Sequence, residues 1–320
     1  MAKPTVLVTR AVPREALDLL AVHANVDANE TDTGYTPEEL ISHARGADAM
    51  IALLTDRVDA ATFAAAPKLK VVANVAVGYD NIDVAAARAA GVVVTNTPGV
   101  LTDATADFAW ALLLATARNV VPADRYVRDG RFREWMMMEF HGAELAGRTL
   151  GIAGFGRIGQ AVARRGRAFG MHVIYTSGRR APQAVEEELG AHAVDKETLL
   201  RSSDVLSLHV PMTPVTRHYL SDAEFAVMKP SAFVINTARG AVIDEAALAR
   251  ALTNGAIRGA GIDVYEREPA VLPALLAAPN TVLAPHIASA TTETRTKMAM
   301  MAAKNVIAVL AGGPPVNPVN

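Results

Sequence analysis

The chain has 320 residues and no cysteine. That rules out disulfides, thiolate metal sites and a cysteine nucleophile, and it leaves the reducing cytoplasm as the default compartment. Nor is there a surplus of charge of one sign. Thirty-one Lys and Arg stand against 33 Asp and Glu, a formal net charge of −2, so no basic field invites nucleic acid. Long apolar runs are missing too. The longest, near Phe108 to Ala117, follows Asp107 and is too short to span a bilayer, so it reads as a buried helix and argues for no membrane partner. The opening stretch from Lys3 to Arg10 reads as a strand and lacks the apolar centre of a signal peptide. The eight histidines lack ligand-like spacing, so no metal is expected. Neither repeats nor low-complexity segments occur.

What is present is a chain with 51% hydrophobic and 20% charged residues, long enough for two ordinary domains. Short apolar runs alternate with helical patterns. Val6–Thr9, Ala49–Leu53, Leu69–Val75 and Gly91–Thr95 read as strands, with helices at 13–21, 37–43, 59–66 and 83–90 between them. Such alternation predicts a parallel sheet covered on both faces. Asn96-Thr-Pro98-Gly99 interrupts it, and a long helix follows from about Asp103 to Arg118. The alternation restarts at Thr149, with strands expected near 205–210, 233–236, 259–264 and 281–284. Asp244 reads as the N-cap of a helix from Glu245, and Pro285 to Ser289 is a second break before a closing helix at 292–310. The Gly- and Pro-rich tail from Gly312 to Asn320 is expected to be loosely held.

Residues Thr149 to Arg180 say most about function. An apolar strand leads into Gly154-Phe155-Gly156-Arg157-Ile158-Gly159, then a helix, then a second strand ending near Ser177. This is the order in which a dinucleotide pyrophosphate meets bare backbone: a tight turn at Gly154, close approach at Gly156, helix packing at Gly159. The helix N-terminus adds amide donors and partial positive charge. A lone glycine motif also suits an ordinary loop; the flanking strand and helix favour the cofactor. An NAD site places Asp or Glu about 20 residues further on, to hold the ribose hydroxyls. Here Ser177 stands there, followed by Gly178, Arg179 and Arg180. Guanidinium forks suit a 2′-phosphate, so NADP(H) is the expected cofactor, with NAD(H) possible. The alternative is a solvated basic turn.

Three later segments follow apolar strands: Thr237-Ala-Arg239-Gly240, Asp263-Val-Tyr-Glu266-Arg-Glu268-Pro269 and Pro285-His286-Ile-Ala-Ser289. Open α/β sheets bind ligands at such strand ends. An Arg, a Glu and a His can therefore meet at one place, as reduction of an acidic ketone requires. His23, His43, His172, His192 and His218 are expected to have no role; His141 and His209 stay open, and His209 can line the cofactor crevice.

These segments, with Asn74–Asp83 and Asn96–Asp107, resemble the D-isomer-specific 2-hydroxyacid dehydrogenases over nearly the whole chain, and within them the glyoxylate/hydroxypyruvate reductases. The resemblance implies two doubly wound parallel-sheet α/β domains. Residues 1–98 with 287–320 would form a flavodoxin-like substrate domain, and 99–286 a Rossmann cofactor domain, the cleft between them closing on the ternary complex. It implies Arg239, Glu268 and His286 as catalytic: Arg239 on the 2-oxo acid, His286 as general acid, Glu268 rather than Glu266 as its partner, favouring the charged imidazole. Leu53, Val77 and Gly78 would join Arg239 and His286 in holding the substrate. Thr105, the glycine-loop residues, Ser177, Arg179, Arg180, Pro211, Thr216, Thr237, Asp263, His286 and Ser289 would contact the cofactor. Ala288 stands where such proteins often have Gly, an expected small change in the crevice wall. The implied activity is NADPH-dependent reduction of glyoxylate and hydroxypyruvate. A 2-ketogluconate reductase and an NAD(H)-sensing corepressor share the pattern and stay open. A homodimer is expected, with the long helix from Asp103 and the segment Arg131 to Met138 as candidate interface. Trp135 either crosses it or packs internally.

Overall fold

The computed structural model describes residues 3–320. They form two compact units, one comprising the chain up to Leu101 with Ala290–Asn320, the other Thr102–Ser289. The divisions thus fall at Leu101 and Ser289 rather than at Pro98 and His286, which puts His286 and Ser289 inside the contiguous unit.

The first unit is built on five parallel strands, β1 (Thr5–Val8), β2 (Asn25–Ala28), β3 (Ala49–Ala52), β4 (Val71–Asn74) and β5 (Val93–Thr95). They lie in the order β2-β1-β3-β4-β5, the flavodoxin arrangement. Every residue of β3 and β4 is buried, which is why these strands read as unbroken apolar runs. Leu7, Met50, Val72 and Val94 face helices carrying Leu40, Ala44, Phe63 and Ala87. The other face is covered by helices Arg14–His23 and Thr292–Leu310, which also pack on each other. Helix starts are set by side chains: Asp59 and Asp83 cap theirs, and Thr36 and Glu39 form a reciprocal capping box.

The second unit holds seven parallel strands, β6 (Thr149–Ala153), β7 (His172–Thr176), β8 (Ala191–Ala193), β9 (Val205–Leu208), β10 (Phe233–Asn236), β11 (Gly259–Ile262) and β12 (Thr281–Leu283). Their order, β8-β7-β6-β9-β10-β11-β12, reverses direction between β6 and β9. That reversal is the switch point of a doubly wound sheet, where ligands bind. Helices Thr102–Ala117 and Arg157–Ala168 cover one face through Ala109, Trp110, Leu113 and Val162. The helix Glu245–Thr253 helps cover the other, with Asp244 as its N-cap. Among the described residues no helix is long and apolar enough to cross a membrane.

Several expectations are corrected. Strands β2 and β8 are edge strands with exposed polar positions, so they show no apolar run. The helix Thr102–Ala117 buries Thr105, Ala106, Ala109, Trp110, Leu112, Leu113, Thr116 and Ala117 within its own unit, which leaves only the face of Asp103, Asp107 and Ala111 exposed. The tail is not loose. Val319 N–H bonds to the Val94 carbonyl at 2.8 Å, and the Asn320 side chain accepts from Val94 N–H and donates to the Val92 carbonyl. Pro318 pairs with Thr95 in an antiparallel bridge. The tail therefore lies along β5 as an added edge. By contrast Phe132, Trp135, Met137 and Met138 stand 61–78% exposed, so Trp135 does not pack internally.

Asn305 is fully buried and holds the tail root, accepting from Val316 and Asn317 N–H and donating to the Met301 carbonyl and Asn317 side chain. Asn305→Leu strands these partners, and by the usual cost of orphaned buried groups it should destabilise the protein by about 2–4 kcal/mol in denaturant titrations. An unchanged midpoint would contradict this role.

Candidate active site

The glycine loop follows β6 at the switch point. Gly154 has φ +94°, and a Cβ there would lie 2.5 Å from the His209 carbonyl. A Cβ on Gly159 would lie 2.2 Å from the Gly154 oxygen, so this glycine lets the helix meet the turn. Gly156 differs: among the described residues nothing lies within 4 Å of its Cβ position, and none caps through its side chain the helix Arg157–Ala168 that it opens. Two glycines are thus needed for packing and the third leaves backbone open, as a pyrophosphate requires. Phe155 turns inward and stacks on Tyr175, with ring centroids 3.9 Å apart, while Arg157 is exposed and Ile158 half-buried.

After β7, Ser177, Arg179 and Arg180 are all exposed. The two arginines are not equivalent. Arg180 makes two 3.0 Å hydrogen bonds to the Glu186 carboxylate. Tyr175 Oη also donates to Glu186, at 2.6 Å, and accepts from Ala181 N–H. Arg180 therefore fastens the end of the loop, while Arg179 makes no such pair among the described residues. The hydrogen bonds and charge of Arg180 hold the Glu186 carboxyl below the ordinary range.

The other side of the switch point carries His209. Its ring accepts or donates one bond, to Ser207 Oγ at 2.8 Å. Desolvation lowers its pKa to about 4, so the ring is neutral at pH 7. Pro211 is exposed, and its carbonyl accepts from Thr216 Oγ1 at 2.6 Å, closing the turn between them. Thr237, at the end of β10, is buried, and its Oγ1 has no hydrogen-bond partner among the described residues. An orphaned hydroxyl there suits a bound polar group, so the chain's residues fit a dinucleotide. Thr105 lies 4% exposed on the inner helix.

Arg239, Glu268 and His286 follow three adjacent strands, β10, β11 and β12. Asn236 shapes the first turn, donating to the Arg239 carbonyl and accepting from Ala238 N–H. Glu268 divides its carboxylate between two partners. Oε2 meets His286 Nδ1 at 2.8 Å, and Oε1 accepts from Tyr265 N–H at 2.9 Å. Burial alone would raise its pKa. The bond to His286, the Tyr265 amide and the charge of nearby Arg239 outweigh burial and keep the carboxyl below its usual value.

His286 has φ +56°, a left-handed backbone that a non-glycine residue adopts at a cost. The compensation is Asp263, which is completely buried. Its carbonyl accepts from His286 N–H, and its two carboxylate oxygens accept from Ile287 and Ala288 N–H, each at 2.8 Å. Burial raises the Asp263 pKa, while these amides oppose the rise. Asp263 thus builds the turn that aims the imidazole. Ala288 donates one of those bonds and is buried; Ser289 is half-buried beyond it. Sequence reasoning missed Tyr265, whose Oη donates to the Ala284 carbonyl at 2.9 Å and ties the Glu268 and His286 segments together.

In the first unit, Leu53 N–H donates to Asp56, and its carbonyl accepts from Asn81. The carbonyls of Val77 and Gly78 accept from Asn96 and Asn74 side chains, which fixes the orientation of this half-buried turn.

Residues 110–288 match the family model described as the D-isomer specific 2-hydroxyacid dehydrogenase, NAD binding domain. The chain belongs to the D-isomer specific 2-hydroxyacid dehydrogenases. It is 51% identical to a glyoxylate reductase of Aeropyrum pernix, over 100% of this chain and 97% of that one. It is 50% identical to a glyoxylate reductase of Thermococcus litoralis, over 99% and 97%. Among solved structures it resembles an NADPH-dependent glyoxylate/hydroxypyruvate reductase of Sinorhizobium meliloti, in complex with NADP and malonate. That likeness has a TM-score of 0.86 at 37% identity, covering 99% and 97% of the two chains. As a member of this family the protein is an oxidoreductase that works with a nicotinamide dinucleotide.

His209 gives a pH test of the cofactor unit. Between the ordinary histidine value of 6.5 and its lowered value of about 4, the unfolded chain binds a proton that the native ring refuses. Stability should therefore fall as pH drops through that window and be unaffected by this group above it. His209→Gln should flatten the decline in melting temperature between those limits. An identical slope in the variant would show that the ring is not held neutral.

Proposed function

We propose that the enzyme reduces small 2-oxo acids, glyoxylate and hydroxypyruvate foremost, to 2-hydroxy acids, with NADPH preferred, as a cytoplasmic homodimer. The observation that carries this reading is the 2.8 Å Glu268–His286 pair on its pinned turn, with Arg239 close enough for its charge to act on the same carboxylate. Relatives at about half identity are named for glyoxylate reduction, and a structural relative for NADPH and hydroxypyruvate as well.

The bound dinucleotide supplies a hydride for the substrate C2. Arg239 grips the substrate carboxylate and polarises the carbonyl, using the parallel donors of a planar guanidinium. Because Nδ1 of His286 is held by Glu268, Nε2 is the atom that carries the transferable proton. As the carbonyl π pair becomes an alkoxide, His286 releases that proton to the oxygen, and in oxidation it takes one back. Glu268 keeps the ring oriented throughout and offsets its charge while the ring holds that proton. Asp263 fixes the backbone from which the ring projects.

Around the cofactor, Gly154 to Gly159 receive the pyrophosphate, Ser177 and Arg179 the 2′-phosphate, and Thr105, Pro211, Thr216, Thr237 and Ser289 complete the surround. Arg180 supports the phosphate loop from behind. The absence of an acid at Ser177 is what favours NADPH, and the absence of cysteine fits the cytoplasm. The second subunit covers the exposed segment bearing Phe132, Trp135, Met137 and Met138.

Steady-state assays of a 2-oxo acid panel, run in parallel with NADPH and NADH, test this directly. Glyoxylate and hydroxypyruvate should give the highest kcat/KM, and NADPH should exceed NADH; the opposite order would overturn the cofactor preference. Arg239→Ala and His286→Ala should each lower kcat/KM by about 10²- to 10⁴-fold, the usual range for losing such groups. Normal turnover in either would end the site assignment.

A further inference from the structure

A second histidine–carboxylate couple lies beside the catalytic one. His218 Nε2 forms a short hydrogen bond with Glu266 Oε1, and both side chains are largely shielded, at 35% and 19% exposure. The sequence alone gives His218 no role and prefers Glu268 to Glu266 as the partner of His286; the fold brings His218 and Glu266 together.

The contacts close a ring. Gly240, next to Arg239, sits against the Tyr265–Glu266 peptide so tightly that a Cβ would lie 1.8 Å from the Tyr265 carbonyl carbon. The Glu266 side chain leaves that peptide and reaches His218. His218 returns to the Arg239 turn through its own N–H, which donates to the Ala241 carbonyl at 2.8 Å. Leu220 N–H then bonds to the Val242 carbonyl, and Asp244 N–H to the Leu220 carbonyl, so the segment runs in register with the turn. The circuit runs from Gly240 to Tyr265, Glu266, His218, Ala241 and back, closed by two backbone contacts and one side-chain hydrogen bond.

Two further facts show that the ring is held under constraint. His218 has φ +49°, a left-handed conformation maintained only where its surroundings demand it. The Tyr265–Glu268 loop also gathers three carboxylates. Glu268 is satisfied by Tyr265 N–H and His286, Glu245 by Glu266 N–H, and Glu266 by His218. Without the imidazole, the Glu266 carboxylate would be left half-buried among like charges, on the loop that bears Glu268.

We infer that the His218–Glu266 couple is a positioning device for catalysis, bracing the Arg239 turn against the loop that carries Glu268. Neither residue touches substrate; each acts through Arg239 and Glu268. The inference rests on the proposed roles of those two residues. Both short sides of the brace are backbone contacts, so the side-chain couple is the one member that substitution can open without rebuilding the turn.

The test uses the full-length enzyme with glyoxylate and NADPH. His218→Ala and Glu266→Ala should each lower kcat/KM for glyoxylate by about 10- to 100-fold, the scale on which a small misplacement of a catalytic group acts, mainly through a raised glyoxylate KM. NADPH affinity, measured by calorimetry without glyoxylate, should stay within about twofold, because additivity errors between separate sites are of that size. The double variant should be no worse than the poorer single one, since both break the same ring. Glu266→Gln, which can still bond to a neutral imidazole, should recover most of the loss. Unchanged kinetics in both alanine variants, additive losses in the double variant, or a parallel loss of NADPH affinity would overturn the brace. So would a Glu266→Gln enzyme as impaired as Glu266→Ala. Arg239→Ala, assayed alongside, separates the two levels. Full activity there sinks the site reading and the brace with it, whereas lost activity there with intact alanine variants at 218 and 266 sinks the brace alone.

Discussion

A single buried carboxylate sets the geometry on which everything else at this site relies. Asp263 spends both oxygens on the amides of Ile287 and Ala288, and its carbonyl takes the amide of His286. Three hydrogen bonds from one residue hold a left-handed imidazole-bearing turn that would otherwise relax. A charge without solvent is costly, and its pKa rises accordingly, but the amides recover part of the cost and gain direction from it. Glu268 and Tyr265 then have a fixed object to bind. In the proposed mechanism, an acid of this kind contributes by holding still the His286 side chain.

The strand-end architecture explains why the polar residues can meet at all. Strands β10, β11 and β12 are neighbours in a parallel sheet, so their carboxyl ends share one edge of the unit. Arg239, Glu268 and His286 are up to 47 residues apart in sequence, yet sit on adjacent loops. The glycine turn after β6 lies on the same side by the same parallel rule, across the switch point. The glycine turn and the loops bearing Arg239, Glu268 and His286 therefore share one face of this unit by topology.

Much of this was legible in the residues, for a physical reason. Buried central strands such as β10 carry an unbroken apolar run, and the closing helix Thr292–Leu310 has Thr291 as its cap, so both stand where the pattern puts them. Edge strands β2 and β8 bury too little to leave that signature. The tail from Gly312 has the composition of a loose end, and only the fold shows that the buried Asn305 and the edge of β5 fasten it. The polar residues at the strand ends follow the same division. His286 and Glu268 stand in a dense local motif, whereas His218 and Glu266 are 48 residues apart and acquire meaning only when folded together. Arg179 and Arg180 look alike in sequence; Glu186, a helix away, is what distinguishes them.

The stitched tail bears on how the molecule is made. Strand β5 finds its outer neighbour in residues more than two hundred positions further along, and the helix Thr292–Leu310 roofs the same sheet. Thr102–Ser289, being one uninterrupted stretch, has every contact it needs as soon as its own residues have left the ribosome. The other half must wait, with β3 and β4 uncovered on the face that the helix Thr292–Leu310 will occupy, until the closing segment arrives. During synthesis that waiting face is where a chaperone would find its grip.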